Sequence, residues 1–353
     1  MTFVTPRPCS RTDSTMPWKD QFNRLKADWD KFNSEHNILP GNQQQQQQQQ
    51  PPQYYPQQQQ QQYNRPPPPP GYGSPVQQNF QQQPQPPQQP INTIYWQGNF
   101  DPNVPVNVEW DPKQGNNNGW GNNELEFYTS NPENSFYTND RKLIIRAIAN
   151  NGASDPSQKY TSARLVSRQT LARDRGVLSA VLTSPCASGI WPAFWLLPHE
   201  PFSWPGDGEV DIMETWNGDR NNKSCLHWGF FNGEDWNKHI TQSTQLDQMP
   251  TTPIRYDFAW DQPGGQAGQG RMIWYINGRP VMKAQIPSGT RPLREFTILL
   301  NVAMGGNVCA GQIPKDGGYD LVVHWLAMLG ELDNGGWQRF DTDWGYAPDG
   351  KVG

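Results

Sequence analysis

The sequence predicts an all-β domain, a sandwich of two antiparallel sheets, preceded by a disordered Gln/Pro-rich N-terminal region that carries one short amphipathic helix. Three observations lead there. Composition changes abruptly near residue 90, from Gln, Pro and Asn to Trp, Gly, Asn and alternating apolar residues. Beyond that point short β-prone runs are bounded by Gly, Asn, Asp and Pro, without the strand-helix alternation of a parallel sheet. Before it, Trp18, Phe22, Leu25, Trp29 and Phe32 recur at steps of four and three, the spacing of one helix face.

Residues 1–40 form a segment whose helix is expected over 17–34. About five turns are marginal alone in water, so the apolar stripe calls for a partner: another copy, a different protein, or the surface of the following domain. A partly formed helix with no fixed partner is the plainer reading. Residues 41–90 contain Gln43 to Gln50 and Pro66 to Pro70, runs with no apolar area to offset the entropy of ordering them. They are expected to be a disordered linker with polyproline II character near the prolines.

Residues 91–353 make one substantial domain. Strands are expected at 142–147, 178–183, 296–302 and 321–327. The plainest hairpin is 271–282, where Asn277-Gly278 suits the positive φ angles of a type I′ turn. No helical stripe is expected in this domain. Many strands without βαβ units imply two packed sheets, one of which can hold an extended polymer.

The formal charge of −5 is mild and its acids and bases are interspersed, so there is no electrostatic footprint for nucleic acid. A neutral partner fits better. Cys9, Cys186, Cys225 and Cys309 lie in no metal-ligand spacing, which argues against a zinc site; no metal or cofactor is expected, and one or two disulfides remain open. The N-terminus has no apolar signal core, and no stretch approaches a membrane span. As written the chain reads as cytoplasmic, with secretion the alternative. A sequon at Asn222 is too common by chance to change this.

The chemistry concentrates in residues 207–214, Asp-Gly-Glu-Val-Asp-Ile-Met-Glu. Glu209 and Asp211 are two apart on a strand, so they project from one face. Strict alternation sends Glu214 to the opposite, core-facing side, where an unpaired carboxylate is costly. One extra residue at Ile212 or Met213, a β-bulge, turns Glu214 back beside the other acids. Three converging carboxyls repel, and repulsion keeps a proton in the cluster near neutral pH. Two carboxyls about 5–5.5 Å apart suit a retaining glycosidase. By spacing alone, a solvated acidic strand or a cation site is the plainer reading.

The surrounding residues separate these readings. Gly189-Ile190-Trp191-Pro192-Ala193-Phe194-Trp195-Leu196-Leu197-Pro198, then Trp204-Pro205, then Gly208-Glu209-Val210-Asp211-Ile212-Met213-Glu214, resembles glycoside hydrolase family 16, its laminarinase-like branch with the bulged acid motif. The resemblance extends through Asn122-Asn123-Glu124-Leu125-Glu126-Phe127-Tyr128-Thr129, Tyr160-Thr161-Ser162-Ala163-Arg164-Leu165, His227-Trp228-Gly229 and Leu300-Asn301-Val302-Ala303-Met304-Gly305-Gly306. It implies a β-jelly-roll with a substrate cleft, acting on internal β-1,3 linkages of glucans, or on mixed β-1,3/1,4 linkages.

On matching positions, the resemblance implies Glu209 as nucleophile, Glu214 as acid/base and Asp211 as the group supporting both. It implies Trp191, Trp195 and Trp204 as aromatic platforms for sugar rings, and Asn123, Arg164 and His227 as polar groups for glucosyl hydroxyls. The chain has sixteen tryptophans, and aromatic faces suit the apolar faces of sugars. Two stretches depart from the family: Ser179-Ala180-Val181, where relatives carry Glu-Ala-Arg, and His324-Trp325 in the terminal strand. They leave the acids untouched and bear on the outer subsites, hence on linkage. A transglycosylase would use the same acids; a glucan-binding lectin would tolerate the loss of either glutamate, and both are present.

Overall fold

A short alternating run can bury one face of a strand against another sheet and leave the other to solvent. The computed structural model describes residues 93–352 apart from 231–234, 236 and 267. The helix expected over 17–34 and the linker at 41–90 lie outside the described residues. In chain order the strands are β1 (Ile94–Gln97), β2 (Trp110–Lys113), β3 (Phe127–Tyr128), β4 (Ser135–Tyr137), β5 (Leu143–Ala149), β6 (Tyr160–Ser162), β7 (Arg164–Thr170), β8 (Arg175–Thr183) and β9 (Ile190–Pro198). They continue as β10 (Glu209–Glu214), β11 (Asn221–His227), β12 (His239–Gln245), β13 (Ile254–Asp261), β14 (Arg271–Ile276), β15 (Arg279–Gln285), β16 (Phe296–Met304), β17 (Gly317–Leu329) and β18 (Lys351–Val352).

Two sheets result. One has ten strands in the order β15-β14-β13-β8-β17-β5-β6-β3, with β1 on β17 and β4 on β5. The other has eight, in the order β18-β12-β11-β10-β9-β16-β7-β2. Pairing is antiparallel except between β3 and β6. Strand neighbours far apart in sequence, such as β9 beside β16 and β8 beside β17, give the jelly-roll sandwich. The core lies between the sheets and takes Phe194, Leu196, Val210, Ile212, Met213, Ile298 and Leu300 from one side and Leu178, Phe258, Trp260, Trp274 and Leu326 from the other.

All four strands expected from sequence form: three lie within longer elements, and the one expected at 142–147 is β5, which starts one residue later and runs to Ala149. The Asn277-Gly278 turn has φ of 48° and 73° and joins Ile276 to Arg279 across the ladder. One expectation fails: a nine-residue helix, α1 (Gly336–Trp344), follows the last long strand. It begins after Gly335 with no side-chain cap, so the usual start signal is missing. Its Phe340 joins Val177, Ala259, Ile273, Tyr275, Ala327 and Leu329 in a second apolar cluster. This explains why β14 is buried on both faces: Met272 and Trp274 enter the main core, Ile273 and Tyr275 the second cluster.

The three described cysteines, Cys186, Cys225 and Cys309, are free thiols. The departures from the family pattern lie in the ten-stranded sheet: Ser179 hydrogen-bonds Asp257, and His324 Nε2 lies 2.9 Å from Thr183 Oγ1. They therefore lie in the sheet opposite the one that carries the acids. Among the described residues no helix is long and apolar enough to cross a membrane.

Candidate active site

The acids lie on the eight-stranded sheet, and the register of β10 shows how. Val210 faces Leu196 and Asp211 faces Trp195 on β9, but the next pairs are Met213 with Phe194 and Glu214 with Ala193. Ile212 is thus the extra residue, a β-bulge. Val210, Ile212 and Met213 are buried in the core, whereas Glu209 and Glu214 are partly open to solvent on the other face. Without the bulge, either Glu214 or Met213 would face the wrong way.

A bulge leaves backbone groups outside the ladder, and these need partners. The Asn222 amide on β11 supplies them: its Nδ2 donates to the Ile212 carbonyl at 3.3 Å and its Oδ1 accepts from the Glu214 N–H at 3.3 Å. From the opposite sheet, Trp274 Nε1 donates to the Asp211 carbonyl at 2.9 Å. Sequence reasoning missed both supports. Asn222 drew notice only as a sequon, and it is fully buried, so in the folded domain it offers no glycan acceptor.

Each glutamate is held by an indole. Trp204 Nε1 donates to Glu209 Oε2 at 2.8 Å, and Trp191 Nε1 to Glu214 Oε1 at 2.5 Å. His227, opposite Glu209 on β11, brings Nε2 to 3.7 Å from Glu209 Oε1 and 3.3 Å from Asp211 Oδ2. Burial, then the Asp211 charge, pushes the Glu209 carboxyl up to about 7, while His227 and the Trp204 N–H pull it down. Burial, then Asp211, holds Glu214 well above the carboxylate range against the pull of the Trp191 N–H. Both carboxyls are thus raised by burial and by the acid between them, which favours a proton held within the cluster.

Of the other expected residues, Trp191 and Trp195 lie along β9 on the acids' face, Trp195 opposite Asp211. Trp204 is half-exposed, with its ring tilted over His227 at 6.4 Å. Arg164 is sandwiched between Trp120 and Trp195, at 4.8 and 4.7 Å from the two rings, and its charge reaches Glu209. Asn123 stands in an exposed turn with φ of 55°, and its amide donates to Asn307 Oδ1 at 3.1 Å.

Behind Arg164 lies a network that sequence reasoning saw only as part of a motif. Trp195 Nε1 donates to Asn301 Oδ1 at 2.7 Å, Asn301 Nδ2 to the Tyr128 hydroxyl at 3.1 Å, and the Met304 N–H to Glu126 Oε2 at 2.7 Å. Glu124 and Glu126 are both buried there. Burial, then the charge of Glu126, pushes the Glu124 carboxyl well above the usual carboxylate range. The signal available in sequence was the acid pair flanking Leu125, close before a buried tyrosine.

Three carboxyls presented by one bulged strand to a tryptophan-lined face of a jelly roll define a glycoside hydrolase. Comparison with known proteins agrees. A family model described as "XgeA-like, catalytic GH16 domain" matches residues 110–267. A glucan endo-1,3-beta-glucosidase of Cryptopygus antarcticus is 30% identical over 225 residues, covering 55% of this chain and 74% of that protein. Glucan endo-1,3-beta-glucosidase A1 of Niallia circulans is 26% identical over 252 residues, 63% of this chain; the match spans only 35% of that longer protein. The structure of the laminarinase from Rhodothermus marinus superposes with a TM-score of 0.57 at 26% identity, covering 69% of this chain and 98% of that one. The chain belongs to glycoside hydrolase family 16.

Proposed function

We propose that the chain hydrolyses internal β-1,3 bonds of glucans, with mixed β-1,3/1,4-glucans as further substrates, by a double displacement that retains anomeric configuration. The observation that carries the reading is the bulge at Ile212, which puts Glu214 on the same face as Glu209 and Asp211 with an indole N–H on each glutamate. The two curated relatives described above, both named as glucan endo-1,3-beta-glucosidases, support the linkage.

In this reading Glu209 attacks the anomeric carbon while Glu214 protonates the departing glycosidic oxygen. Glu214 suits the acid because burial and Asp211 push its carboxyl well above the usual carboxylate range, which favours the protonated form. The Trp191 N–H then stabilises the carboxylate that remains. Forming the glycosyl ester removes the charge of Glu209, so one repulsive neighbour of Glu214 disappears. Its pKa falls, and the carboxylate serves as base for the incoming water. Asp211, between the two along the strand, adds to the burial that raises both. Trp204, Trp191 and Trp195 offer platforms for sugar rings, and Asn123, Arg164 and His227 supply donors for hydroxyls.

Product analysis on laminarin and on a mixed-linkage glucan tests this. Shorter oligosaccharides released first as β-anomers support it. Products longer than the substrate would make the chain a transglycosylase, and no products would make it a glucan-binding protein.

A further inference from the structure

One strand beyond the acids, three metal-binding side chains share the same face. Cys225 and His227 are two apart on β11 and so project together. His239 stands opposite His227 on β12, with the two imidazoles stacked at 4.5 Å between centroids. Cys225 Sγ lies 3.3 Å from His227 Nε2 and 3.5 Å from His239 Nε2. A thiolate and an imidazole bound to one tetrahedral zinc, at about 2.3 and 2.0–2.1 Å from it, stand about 3.5 Å apart. All three donor atoms lie within 4.8 Å of one another. A thiol with two imidazoles is a donor set for zinc rather than for calcium or magnesium.

We propose that Cys225, His227 and His239 bind one zinc ion, with a water in the fourth position, and that the ion switches off the neighbouring acids. Binding exchanges the Cys225 thiol proton, and the proton that His227 Nε2 shares with Asp211, for the metal and releases both to solvent. The coordinated atom of His227 is the one that now approaches Asp211 at 3.3 Å and Glu209 at 3.7 Å. Bound zinc takes that nitrogen from both acids and sets a dication beside the attacking carboxylate. The site escapes a count of cysteines because it has one thiol, a Cys-x-His pair on one strand and a histidine from the next. The zinc site stands independently of the proposed hydrolysis, whereas the inhibition rests on it.

Titrating the full chain with zinc alone by calorimetry, and with cobalt as a spectroscopic stand-in, tests the site. One equivalent of zinc and a thiolate-to-cobalt charge-transfer band are expected. Cys225→Ser should abolish the band, and His239→Gln should keep it while weakening zinc binding at least about tenfold. With chelator present both variants should hydrolyse laminarin like the parent chain, and both should resist the zinc inhibition seen in the parent. No band in the parent, or unchanged zinc affinity in both variants, would overturn the site. Zinc binding with the band but without loss of hydrolysis would overturn the inhibition alone. A parent chain inactive in chelator would count against the hydrolase reading and leave the titration to decide the site.

Discussion

Replacing Trp191 with Phe removes the indole N–H and keeps an aromatic ring on the same face. That N–H donates to Glu214 Oε1 at 2.5 Å and opposes the burial that raises this carboxyl. A hydrogen bond to a charged group contributes about 1.5–3 kcal/mol, and here it favours the carboxylate over the acid. Its loss should therefore raise the pKa of Glu214 further. The sign follows: cleavage needs Glu214 protonated, so activity is lost as pH rises through its pKa, and in Trp191→Phe the alkaline limb of kcat/KM should move to higher pH. The acid limb, set by Glu209 with its own partner Trp204, should stay in place. A weaker acid donates less readily, so kcat/KM on laminarin at the optimum should fall about tenfold to a hundredfold, with a smaller loss on an aryl glycoside whose leaving group needs no proton. Steady-state kinetics across pH on both substrates gives the answer. An alkaline limb that stays or moves down, or equal losses on both substrates, would refute the role given to this hydrogen bond.

Trp204→Ala should weaken oligosaccharide binding by about 1–3 kcal/mol with little change in melting temperature, because the ring is already half-exposed; calorimetric binding and thermal melting read the two separately. Trp260→Ala should do the reverse, costing about 3–5 kcal/mol of stability, since this side chain is fully buried between the sheets; chemical denaturation measures it. A chain beginning at Ile91 keeps β1 and every strand of both sheets and should retain most of the specific activity on soluble glucan. Failure of that shortened chain to fold would make the N-terminal segment part of the domain's stability.

How far the sequence carries depends on whether a feature is local. Alternation and turn residues are local, so the strands and the Asn277-Gly278 hairpin were legible. So was the bulge, because five positions between Glu209 and Glu214 conflict with a period of two, and the structure resolves the conflict at Ile212. The supports of the bulge were not legible. Asn222 and Trp274 reach β10 from another strand and another sheet, and no spacing along the chain announces such a meeting. The buried Glu124 and Glu126 and the Cys225, His227 and His239 group share that property: ordinary spacing, chemistry created by register. Helix α1 was missed for a different reason, being short and uncapped with its stability drawn from Phe340 in the second apolar cluster.

The central claim, that Glu209 attacks and Glu214 handles the proton, is tested most directly by azide rescue of two variants on an activated aryl β-glucoside. Glu214→Ala lacks the acid and the later base, but a good leaving group needs no acid, so the glycosyl-enzyme should form on Glu209 and stall. Azide, which needs no base, should then release a β-glycosyl azide of retained configuration. Glu209→Ala has no nucleophile, so azide itself should attack from the vacated side and yield the α-azide. Proton NMR of the azide product distinguishes the anomers. The expected result is β-azide from Glu214→Ala and α-azide from Glu209→Ala. An exchange of the two products would reverse the assignment, and wild-type activity of both variants on laminarin without any response to azide would contradict a catalytic role for either acid.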